Sequence, residues 1–532
     1  MSKLKVLIAD AISHRGVEAL AEGGLLDVDV RTGLSEDELI EIIPQYSGMV
    51  VRSQTKVTAS VLEAAKLLKV VGRAGVGTDN VDIKAATMRG VIVMNTPGGN
   101  TISTAEHAFS LLVSTARSIP QAHASIVGGR WDRKKFEGVE LYGKTLGILG
   151  MGRIGSEIAQ RAIAFGMRVL AYDPYLSEAK AQSLHVELVE DVESVLSRAD
   201  FITLHMPLTA ETKHILDARR LALCKKNVRI VNCARGGLID EAALADALKS
   251  GHVAAAALDV YEVEPPPADF PLRDLPNIVF TPHLGASTAE AQENVGIEIA
   301  AAIRAALLDG EVRNAVNMPS VDAKTAVILT PFITLGAKLG RFVGQLAAKR
   351  NDLIQITYGG KAAAMPAEAI TRAILTGFLK HVGGEEVNVV NCFSMIESLG
   401  LKVKEVKSSE EADYNEWLQV SVSGAGETVS VGGTFFGARN EPRIVRVNNQ
   451  SVEVIPEGVV LMMNNQDIPG IIGQVGTCLG EYKLNIAAMS LSRDLEGGKA
   501  LTLFNLDSTP CEAALAVLRN IPSIGEVKVI EL

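Results

Sequence analysis

The chain has 532 residues, with 62 acidic and 52 basic side chains and a formal net charge of −10 at pH 7. This length exceeds what one ordinary core accommodates, so several domains are expected. The acidic surplus is dispersed along the chain, which argues against nucleic acid or an anionic membrane surface as the main partner.

Five cysteines lie scattered along the chain, with no C-x-x-C pair and no cysteine–histidine cluster. Such usage predicts no structural metal and is typical of a reducing compartment. No signal peptide precedes the first predicted strand, and no apolar run approaches the ~18 residues that span a bilayer. We therefore expect a cytoplasmic protein without membrane contact, or a plastid protein if a targeting segment has been removed.

The first 96 residues alternate short apolar runs with helical segments. The runs occupy residues 5–9, 28–30, 49–51, 70–71 and 91–94. This alternation is typical of βαβ units and a parallel sheet, and a capping box at Ser35 and Glu38 marks the start of one helix. We interpret the glycine-rich loop at residues 72–77 as a turn that brings Arg73 and backbone amides toward a cleft.

The strongest motif follows a predicted buried strand at residues 145–149. Gly150, Gly152 and Gly155 have the spacing G-x-G-x-x-G and precede a helical segment. Gly150 permits the tight turn, Gly152 lets the backbone approach a pyrophosphate, and Gly155 lets helix and strand pack closely. The pyrophosphate would bind the free N–H groups at the start of that helix.

Asp173 ends the next predicted strand, at residues 168–172. Its carboxylate would accept hydrogen bonds from a ribose diol and would repel a 2′-phosphate, and no Lys or Arg follows within residues 174–179. The motif therefore predicts NAD as cofactor and not NADP. A glycine-rich turn without a ligand is the alternative interpretation.

Further buried strands and helices complete a second parallel sheet, with strands predicted at residues 201–205, 228–233, 254–259 and 278–281. The glycine pair Gly98–Gly99, interpreted as a hinge, leads into this part through a helix at residues 102–117. A helix at residues 287–308 returns to the first sheet. Two α/β domains joined by two crossings enclose a cleft, which suits a cofactor in one half and a substrate between both.

The remainder of the chain has a different character. Residues 321–450 mix a helix at 330–350 with strand-like runs, and a linker follows at 456–458. The last 75 residues or so show the order strand, helix, strand, strand, helix, strand of a ferredoxin-like unit, at residues 459–463, 470–480, 486–491, 500–507, 511–520 and 526–530.

The expected fold class is therefore α/β, with four domains. Residues 1–97 and 288–318 form a doubly wound substrate-binding domain, and residues 98–287 form a Rossmann nucleotide-binding domain. An α+β domain at residues 319–455 and a ferredoxin-like domain at residues 456–532 follow.

Three polar residues of the second sheet each follow a predicted strand, and the loops at these strand ends face the ligand crevice. His283 can take the proton of a hydroxyl whose carbon gives up a hydride. Glu264 would bind the other ring nitrogen, and the planar guanidinium of Arg235 suits a substrate carboxylate. Single residues of these types are more often packed or solvated, as we interpret His107, His123 and His252 to be; the joint placement favours an alcohol-oxidising site.

At these residues the chain carries the segments GMGRIG, NCARGGLIDE, LDVYEVEP and TPHLGAS. Over residues 1–318 it resembles the D-isomer-specific 2-hydroxyacid dehydrogenases. The two further domains and the segments VVRSQTKVT, VVGRAGVGTDNVD and MNTPGGNT are similar to the long forms of that family that act on D-3-phosphoglycerate. The resemblance implies NAD-dependent oxidation of D-3-phosphoglycerate to 3-phosphohydroxypyruvate, the first step of phosphorylated L-serine synthesis.

Three other functions stay open on the sequence alone. A dehydrogenase for another D-2-hydroxy acid, of the glyoxylate or hydroxypyruvate type, is disfavoured by the C-terminal extension and the spare arginines. An NAD-sensing scaffold, like the corepressors of the same superfamily, keeps the same three residues but lacks a tail of this kind. A purely serine-responsive regulatory protein is disfavoured by the intact Arg, Glu and His set.

The resemblance also implies roles at matching positions, with Arg235, Glu264 and His283 as the catalytic set. With the positions already argued, the candidate cofactor contacts are Gly150, Gly152, Arg153, Ile154, Gly155, Asp173, His205, Pro207, Cys233, Ala234, Asp259 and Gly285. The candidate substrate contacts are Arg52, Ser53, Arg73, Asn100 and Arg133.

Arg133 resembles a basic residue that approaches the substrate phosphate from a neighbouring subunit, which implies a homodimer or homotetramer. A phosphorylated hydroxy acid carries two anionic groups, and Arg235 can bind only one of them. The alternative is a solvated basic turn that Arg133 forms with Lys134 and Lys135.

The ferredoxin-like tail resembles an ACT domain, which implies L-serine as a candidate effector. Asn465, Asp467 and Asn485 match the effector positions, and a dimerisation domain without a ligand is the alternative. The preceding domain resembles one for which an anion site is implied, with Arg439 and Arg443 as candidates.

Overall fold

The protein is described here by a computed structural model over residues 3–319, 323–348, 350–383, 387–409, 414–424, 426–437 and 440–532. Four sheets follow one another along the chain, two wholly parallel, one mixed and one antiparallel. The α/β class and the two parallel-sheet units predicted from the sequence are confirmed. Arg439 lies outside the described residues.

The first sheet has five parallel strands in the order β2-β1-β3-β4-β5. They are β1 to β5, at Leu4–Ile8, Leu26–Val30, Gly48–Val51, Val70–Arg73 and Ile92–Met94. Helices α1 to α4 connect them, at His14–Ala21, Glu36–Ile42, Ala59–Ala64 and Ile83–Met88. The central strands are buried on both faces, as parallel strands covered by helices must be, and the predicted capping box of Ser35 and Glu38 starts α2.

The second sheet has seven parallel strands in the order β12-β11-β10-β9-β6-β7-β8. They are β6 to β12, at Thr145–Leu149, Arg168–Tyr172, Glu187–Leu188, Phe201–Leu204, Val228–Asn232, Val253–Leu258 and Ile278–Phe280. Helices α5 to α11 lie at Thr101–Arg117, Ile119–Val127, Arg153–Ala164, Glu178–Ser183, Val192–Arg198, Ala218–Leu223 and Glu241–Lys249. The strand order reverses between β6 and β9, where doubly wound sheets bind nucleotides.

Two helices cross between these sheets. α5 leaves the first sheet, and α12, Ala289–Arg304, returns to it before one π turn at Ala305–Asp309. The crossings touch at Gly99, where a Cβ would lie 2.5 Å from a side-chain atom of Val295. Gly99 therefore has a packing role, because only a residue without a side chain lets α12 approach so closely.

The third sheet is mixed, in the order β14-β13-β15-β16-β17-β18. Its strands, β13 to β18, lie at Leu353–Gly360, Lys402–Ser408, Glu416–Gly424, Glu427–Phe436, Glu441–Val447 and Gln450–Val454. Helices α13 to α15, at Ala323–Leu346, Ala367–Gly383 and Cys392–Ser398, pack on one face.

Two sequence expectations about these helices were wrong. The helix predicted at residues 330–350 begins earlier, at Ala323, and holds Pro331 inside it. Pro331 leaves the carbonyl of Val327 without a helical donor, but Val327 is 76% exposed, so water can reach that turn. The second long helix, α14, was not predicted at all. It packs on α13 through Gly340, whose Cβ would lie 2.0 Å from the carbonyl oxygen of Ile374.

One stretch of α13, Thr325–Leu346, is long and apolar enough to cross a bilayer by length and composition alone. The expectation that no apolar run approaches such a length was therefore wrong. In the structure this helix packs in a protein core, where Leu335, Leu339 and Phe342 are fully buried. A core helix meets the same criteria as a spanning one.

The fourth sheet is antiparallel, in the order β20-β21-β19-β22. Its elements are β19, α16, β20, β21, α17 and β22, at Val459–Gln466, Ile471–Glu481, Ile486–Arg493, Lys499–Leu506, Glu512–Arg519 and Ile524–Glu531. The predicted ferredoxin-like order is confirmed. One face of this sheet continues the core of the third unit, because Met462, Leu503 and Ile530 belong to the same cluster of buried side chains as Phe342.

Candidate active site

A cleft of about 310 Å³ lies between the first and second sheets, at the carboxyl ends of the strands of the second sheet. Eleven predicted site residues line it: Arg73, Asn100, Ile154, His205, Pro207, Cys233, Ala234, Arg235, Asp259, His283 and Gly285. Loops at the carboxyl ends of neighbouring parallel strands meet at one edge of a sheet, which explains why residues so distant in sequence converge. The remaining lining residues are Val76, Gly77, Asp79, Thr104, Met206 and Ala286.

A histidine–carboxylate pair stands at this edge. The Nδ1 atom of His283 lies 2.8 Å from Oε2 of Glu264, and the other oxygen of Glu264 accepts a hydrogen bond from the N–H of Tyr261 at 3.1 Å. An ionised carboxylate only accepts hydrogen bonds, so Nδ1 of His283 carries the proton. Its Nε2 atom is then free to accept one.

The pair shifts both acidities. The hydrogen bond to Glu264 raises the pKa of His283 against the opposing effect of burial. Burial alone would raise the pKa of Glu264, but the hydrogen bond and charge of His283 outweigh it, so the pKa is lowered. Each partner stabilises the charged form of the other.

Arg73 and Arg235 also line the cleft, where they form a positively charged wall. Nε of Arg235 lies 3.4 Å from Oδ2 of Asp79, which belongs to the loop after β4. Burial, together with the charge of Arg235, lowers the pKa of Arg73 to about 10. Within the described part of the chain, the buried Nε atom of Arg73 has no hydrogen-bond partner. An unpaired buried guanidinium N–H is unfavourable, so this wall suits an anionic ligand.

The glycine motif forms the cradle predicted for a dinucleotide. A Cβ on Gly150 would lie 2.5 Å from the carbonyl oxygen of His205, and one on Gly155 would lie 2.2 Å from the carbonyl oxygen of Gly150. At Gly152, by contrast, no atom of the described residues lies within 4 Å of an added Cβ, and none of their side chains caps the first turn of the helix that follows, α7, Arg153–Ala164. The close packing at Gly150 and Gly155 forms the turn, and the open space at Gly152 lets a pyrophosphate approach the backbone.

Two polar residues extend the cradle. Asp173 follows β7 and accepts hydrogen bonds from the N–H groups of Met151 and Tyr175, both at 2.8 Å. A carboxylate has about four acceptor positions, so it can still accept from a ribose. Burial lowers the pKa of His205 to about 3, and its buried Nδ1 has no partner among the described residues. These residues fit an NAD molecule.

The other candidate substrate contacts, Arg52, Ser53 and Arg133, do not line the cleft itself. Arg52 donates to the carbonyl of Ala11 at 3.2 Å and lies close enough for its charge to act on Arg73. Ser53, next to it, is exposed. Arg133 is exposed on a short 3₁₀ turn, Arg133–Phe136, and does not line the cleft of its own chain.

The candidate effector residues each contact a different partner within the chain. Asn465 is buried, and its Oδ1 accepts from the hydroxyl of Thr502 at 2.8 Å. Asp467 pairs with Arg493, also at 2.8 Å. Asn485 is exposed and donates to a carboxylate oxygen of Asp507 at 2.8 Å.

Arg443, a candidate for the implied anion site, already faces two carboxylates. Its guanidinium lies 3.0 Å from Glu441 and 3.8 Å from Glu453. These two partners leave it less able to attract a further anion.

Some residues that line or support the cleft were missed by the sequence analysis. Asp79 was not singled out. His107 was interpreted as a structural residue, and in the structure its Nε2 lies 3.2 Å from Oδ1 of Asp259, a contact that the sequence did not indicate. The side chain of Thr104 donates to the carbonyl of Gly285 at 3.1 Å. A polar pair one turn apart, Thr104 and His107, on an otherwise buried helix face was the available signal.

Comparison with known proteins places these features in context. The family described as D-isomer specific 2-hydroxyacid dehydrogenase, NAD binding domain, matches residues 109–285. The family described as D-3-phosphoglycerate dehydrogenase intervening domain matches residues 328–448.

Individual relatives match over nearly the whole chain. A D-3-phosphoglycerate dehydrogenase of Archaeoglobus fulgidus is 44% identical over 531 residues, 99% of this chain and 100% of that protein. One of Methanocaldococcus jannaschii is 44% identical over 529 residues, again 99% and 100%. Among solved structures, an NAD⁺-bound 3-phosphoglycerate dehydrogenase of Entamoeba histolytica is 27% identical with a TM-score of 0.51, over 60% of this chain and 100% of that one.

Proposed function

The chain belongs to the D-3-phosphoglycerate dehydrogenase family, and we propose that it oxidises D-3-phosphoglycerate to 3-phosphohydroxypyruvate with NAD, the first step of phosphorylated serine synthesis. The observation that carries this function is the pair of His283 and Glu264, 2.8 Å apart, in the same cleft as Arg235 and beside the glycine cradle. A base, an anion-binding group and a nucleotide site are the three components that oxidation of a hydroxy acid requires.

His283 acts as the base in this reaction. Its free Nε2 takes the proton of the substrate hydroxyl while the carbon loses a hydride, and Glu264 stabilises the imidazolium that results. When bound, NAD supplies the hydride acceptor. In the reverse direction the protonated His283 returns the same proton to the carbonyl oxygen.

The arginines hold the two anionic ends of the substrate. Arg235 binds the carboxylate through two parallel N–H groups, which requires the carboxylate of Asp79 to give way. Arg73, buried and with an unpaired Nε, lies on the same wall and adds to the positive field. This wall discriminates against uncharged alcohols, since burying guanidinium groups without an anion is unfavourable.

The direct test measures NADH formation with purified protein, NAD and either D-3-phosphoglycerate or D-glycerate. We expect turnover with the phosphorylated acid, and none above background in His283→Ala. His123→Ala is the matched control, because His123 is exposed and does not line the cleft. Turnover with D-glycerate alone would reassign the substrate. Tight NADH binding without turnover of either acid would favour an NAD-sensing scaffold.

We further propose a homo-oligomer built on a dimer formed by the second-sheet unit. Ile126, Val127 and Trp131 are 54%, 73% and 82% exposed, within a few residues of one another on α6 and the loop after it. Contiguous exposed apolar side chains usually mark a protein contact. Arg133 follows this patch directly, so the contact that covers Trp131 would deliver Arg133 to the partner's cleft.

Mixing two inactive variants tests this arrangement. His283→Ala lacks the base, and Arg133→Ala lacks the proposed phosphate contact. In a hybrid dimer, the site with an intact His283 receives an intact Arg133 from the other chain, so we expect activity to rise on mixing after dissociation and reassociation. No rise, in hybrids verified by mass, would place Arg133 outside the active site.

We also propose that L-serine binds the fourth-sheet unit as an effector. Asp467 is the supporting residue, because its side chain is 21% exposed at the turn before α16 and its partner Arg493 is half exposed. An amino acid carries both an ammonium and a carboxylate, so it can replace each partner of that ion pair. Calorimetric titration of the full-length protein with serine should show binding that Asp467→Ala abolishes. No heat with the unmodified protein would leave a ligand-free dimerisation domain.

For localisation we propose a reducing compartment, the cytoplasm. Support comes from the five free cysteines, of which Cys511 is exposed and the others are buried. Cell fractionation with an antibody to the protein tests this; recovery from an oxidising compartment would overturn it.

A further inference from the structure

A fully buried carboxylate lies below the catalytic histidine. Asp259, at the end of β11, accepts hydrogen bonds from the hydroxyl of Thr281 at 2.6 Å and from the N–H groups of Leu284 and Gly285 at 2.7 and 2.9 Å. A further contact is Nε2 of His107 at 3.2 Å. Burial alone would raise the pKa of Asp259, but these donors outweigh it and lower the pKa. The carboxylate therefore stays ionised inside the protein because donors surround it.

The same carboxylate fixes the backbone that carries the base. Leu284 and Gly285 directly follow His283, and the N–H of His283 itself donates to the carbonyl of Asp259 at 2.9 Å. His283 has a φ of +55°, in the left-handed region that residues with a side chain adopt only when their surroundings impose it. Three hydrogen bonds to Asp259 impose it, and the ring then meets Glu264.

His107 lies on the crossing helix α5 and contacts Asp259 without lining the cleft. Since the carboxylate of Asp259 only accepts, Nε2 of His107 must carry a proton, and it also lies 3.1 Å from the hydroxyl oxygen of Thr281. One turn earlier, Thr104 donates to the carbonyl of Gly285. Helix α5 therefore holds the turn after His283 by two side chains, one through Asp259 and one directly.

We propose that His107 is a positioning residue for the dehydrogenase reaction, which orients Asp259 and through it the left-handed turn that aims His283 at Glu264. This inference rests on the proposed function. His107 does not line the cleft, so it does not exchange a proton with substrate. Its ring is 20% exposed, and a residue needed only for packing would be replaceable by an apolar side chain of similar size.

The test compares three variants of the full-length protein. His107→Leu removes the donor, and His107→Gln keeps an N–H donor at similar reach. His252→Leu is the matched control, because His252 precedes the same strand, β11, at its opposite end. We expect His107→Leu to lower kcat about 30-fold with KM for D-3-phosphoglycerate within about threefold, a loss of about 2 kcal/mol in the transition state. His107→Gln and His252→Leu should stay within about threefold of the unmodified protein.

A second measurement needs no turnover and so separates this proposal from the proposed function. The imidazole of His283 is titrated by NMR in each variant. Without the anchored turn, His283 loses its contact with Glu264, so its pKa should fall toward the value of a free histidine, about 6.5, in His107→Leu only. If the unmodified protein shows no turnover, the proposed function fails, but this titration still decides the role of His107.

Several outcomes would overturn the inference. An unchanged kcat and an unchanged His283 titration in His107→Leu would make the histidine dispensable. An equal loss in His107→Gln would show that the donor is not what matters. Should His107→Leu fail to fold, His107→Met replaces it; if neither folds while His107→Gln does, the histidine serves the fold and not the positioning of the base.

Discussion

At the scale of single residues, the surroundings of each histidine in the site set its pKa. Glu264 lies beside a ring that must gain and lose a proton, and its hydrogen bond, together with its charge, raises the pKa of His283. His205, which lines the same cleft, stays neutral because burial lowers its pKa to about 3. One histidine is therefore set to titrate during turnover, and the other is excluded from proton exchange.

Replacing Glu264 by Gln should change both the rate and its pH dependence. Oxidation needs the neutral form of His283, so activity is lost as pH falls through the pKa of that residue. Glu264 raises this pKa, so Glu264→Gln should move the acidic limb of kcat/KM to lower pH and lower kcat about 100-fold. The pH profile of NADH formation measures both.

Glu262→Gln is the control for this prediction. Glu262 lies on the same loop but bonds to His214 at 3.1 Å, away from the base. It should leave the acidic limb in place. An acidic limb that stays fixed in Glu264→Gln would mean that another group titrates in the profile.

At the scale of elements, the turn from β6 into α7 combines two glycines with opposite surroundings. Gly155 is packed against the carbonyl of Gly150, whereas Gly152 faces open space. Gly155 is therefore required for the packing of the fold, and Gly152 leaves room for the ligand. The two requirements can therefore be separated by substitution, although the sequence motif presents them as one pattern.

Alanine at these two positions should give different results. Gly155→Ala places a methyl group 2.2 Å from a carbonyl oxygen, so we expect both a lower melting temperature and NADH binding weakened about 30-fold, or about 2 kcal/mol. Gly152→Ala should leave the melting temperature unchanged and weaken NADH binding to a similar extent. Fluorescence titration and calorimetry measure the two effects. A lower melting temperature in Gly152→Ala would contradict this division.

Local patterns predicted most of the elements and few of the long-range contacts. Buried parallel strands are near-continuous apolar runs, so the strands of the first two sheets were found within a few residues of their ends, except the two-residue edge strand β8, Glu187–Leu188, which was not predicted. The glycine motif and the loops that carry Arg235 and His283 were predicted correctly to lie at the ends of strands, because each comes directly after an apolar run. The contact of His107 with Asp259 joins residues 152 positions apart, and no local periodicity encodes it. The start of α13 was missed because Pro331 normally marks a first turn.

At the scale of the whole molecule, the two halves of the chain meet through few polar contacts. The side chain of Asn388, just before α15, donates to the carbonyl of Gly90, just after α4, at 3.0 Å. Inside the second half, by contrast, α13 and α14 approach closely along Gly336, Gly340 and Gly344. A substitution that destabilises one half should therefore leave the stability of the other half unchanged.

Gly340→Val tests this separation. A side chain at this position meets the carbonyl of Ile374, so we expect the unit that contains α13 to lose about 3 kcal/mol of stability. Scanning calorimetry should show one transition moved to lower temperature, while NADH binding by the first half stays within about twofold. Gly473→Val is the control, since no atom in the described ranges of the chain lies within 4 Å of a Cβ at Gly473. Loss of NADH binding would show that the halves unfold together.

The continuous core beneath the third and fourth sheets bears on how such a chain can be recombined. The linker at residues 456–458 looks like a domain boundary at which chains could be exchanged. However, Met462, Leu503 and Ile530 pack into the same cluster as Phe342. In addition, the side chain of Gln345 forms hydrogen bonds with the backbone of Glu531. A chimera that exchanges only residues 456–532 with a relative would join two surfaces that did not evolve together. An exchange at residues 310–322, before α13, would transplant both sheets with their shared interior intact.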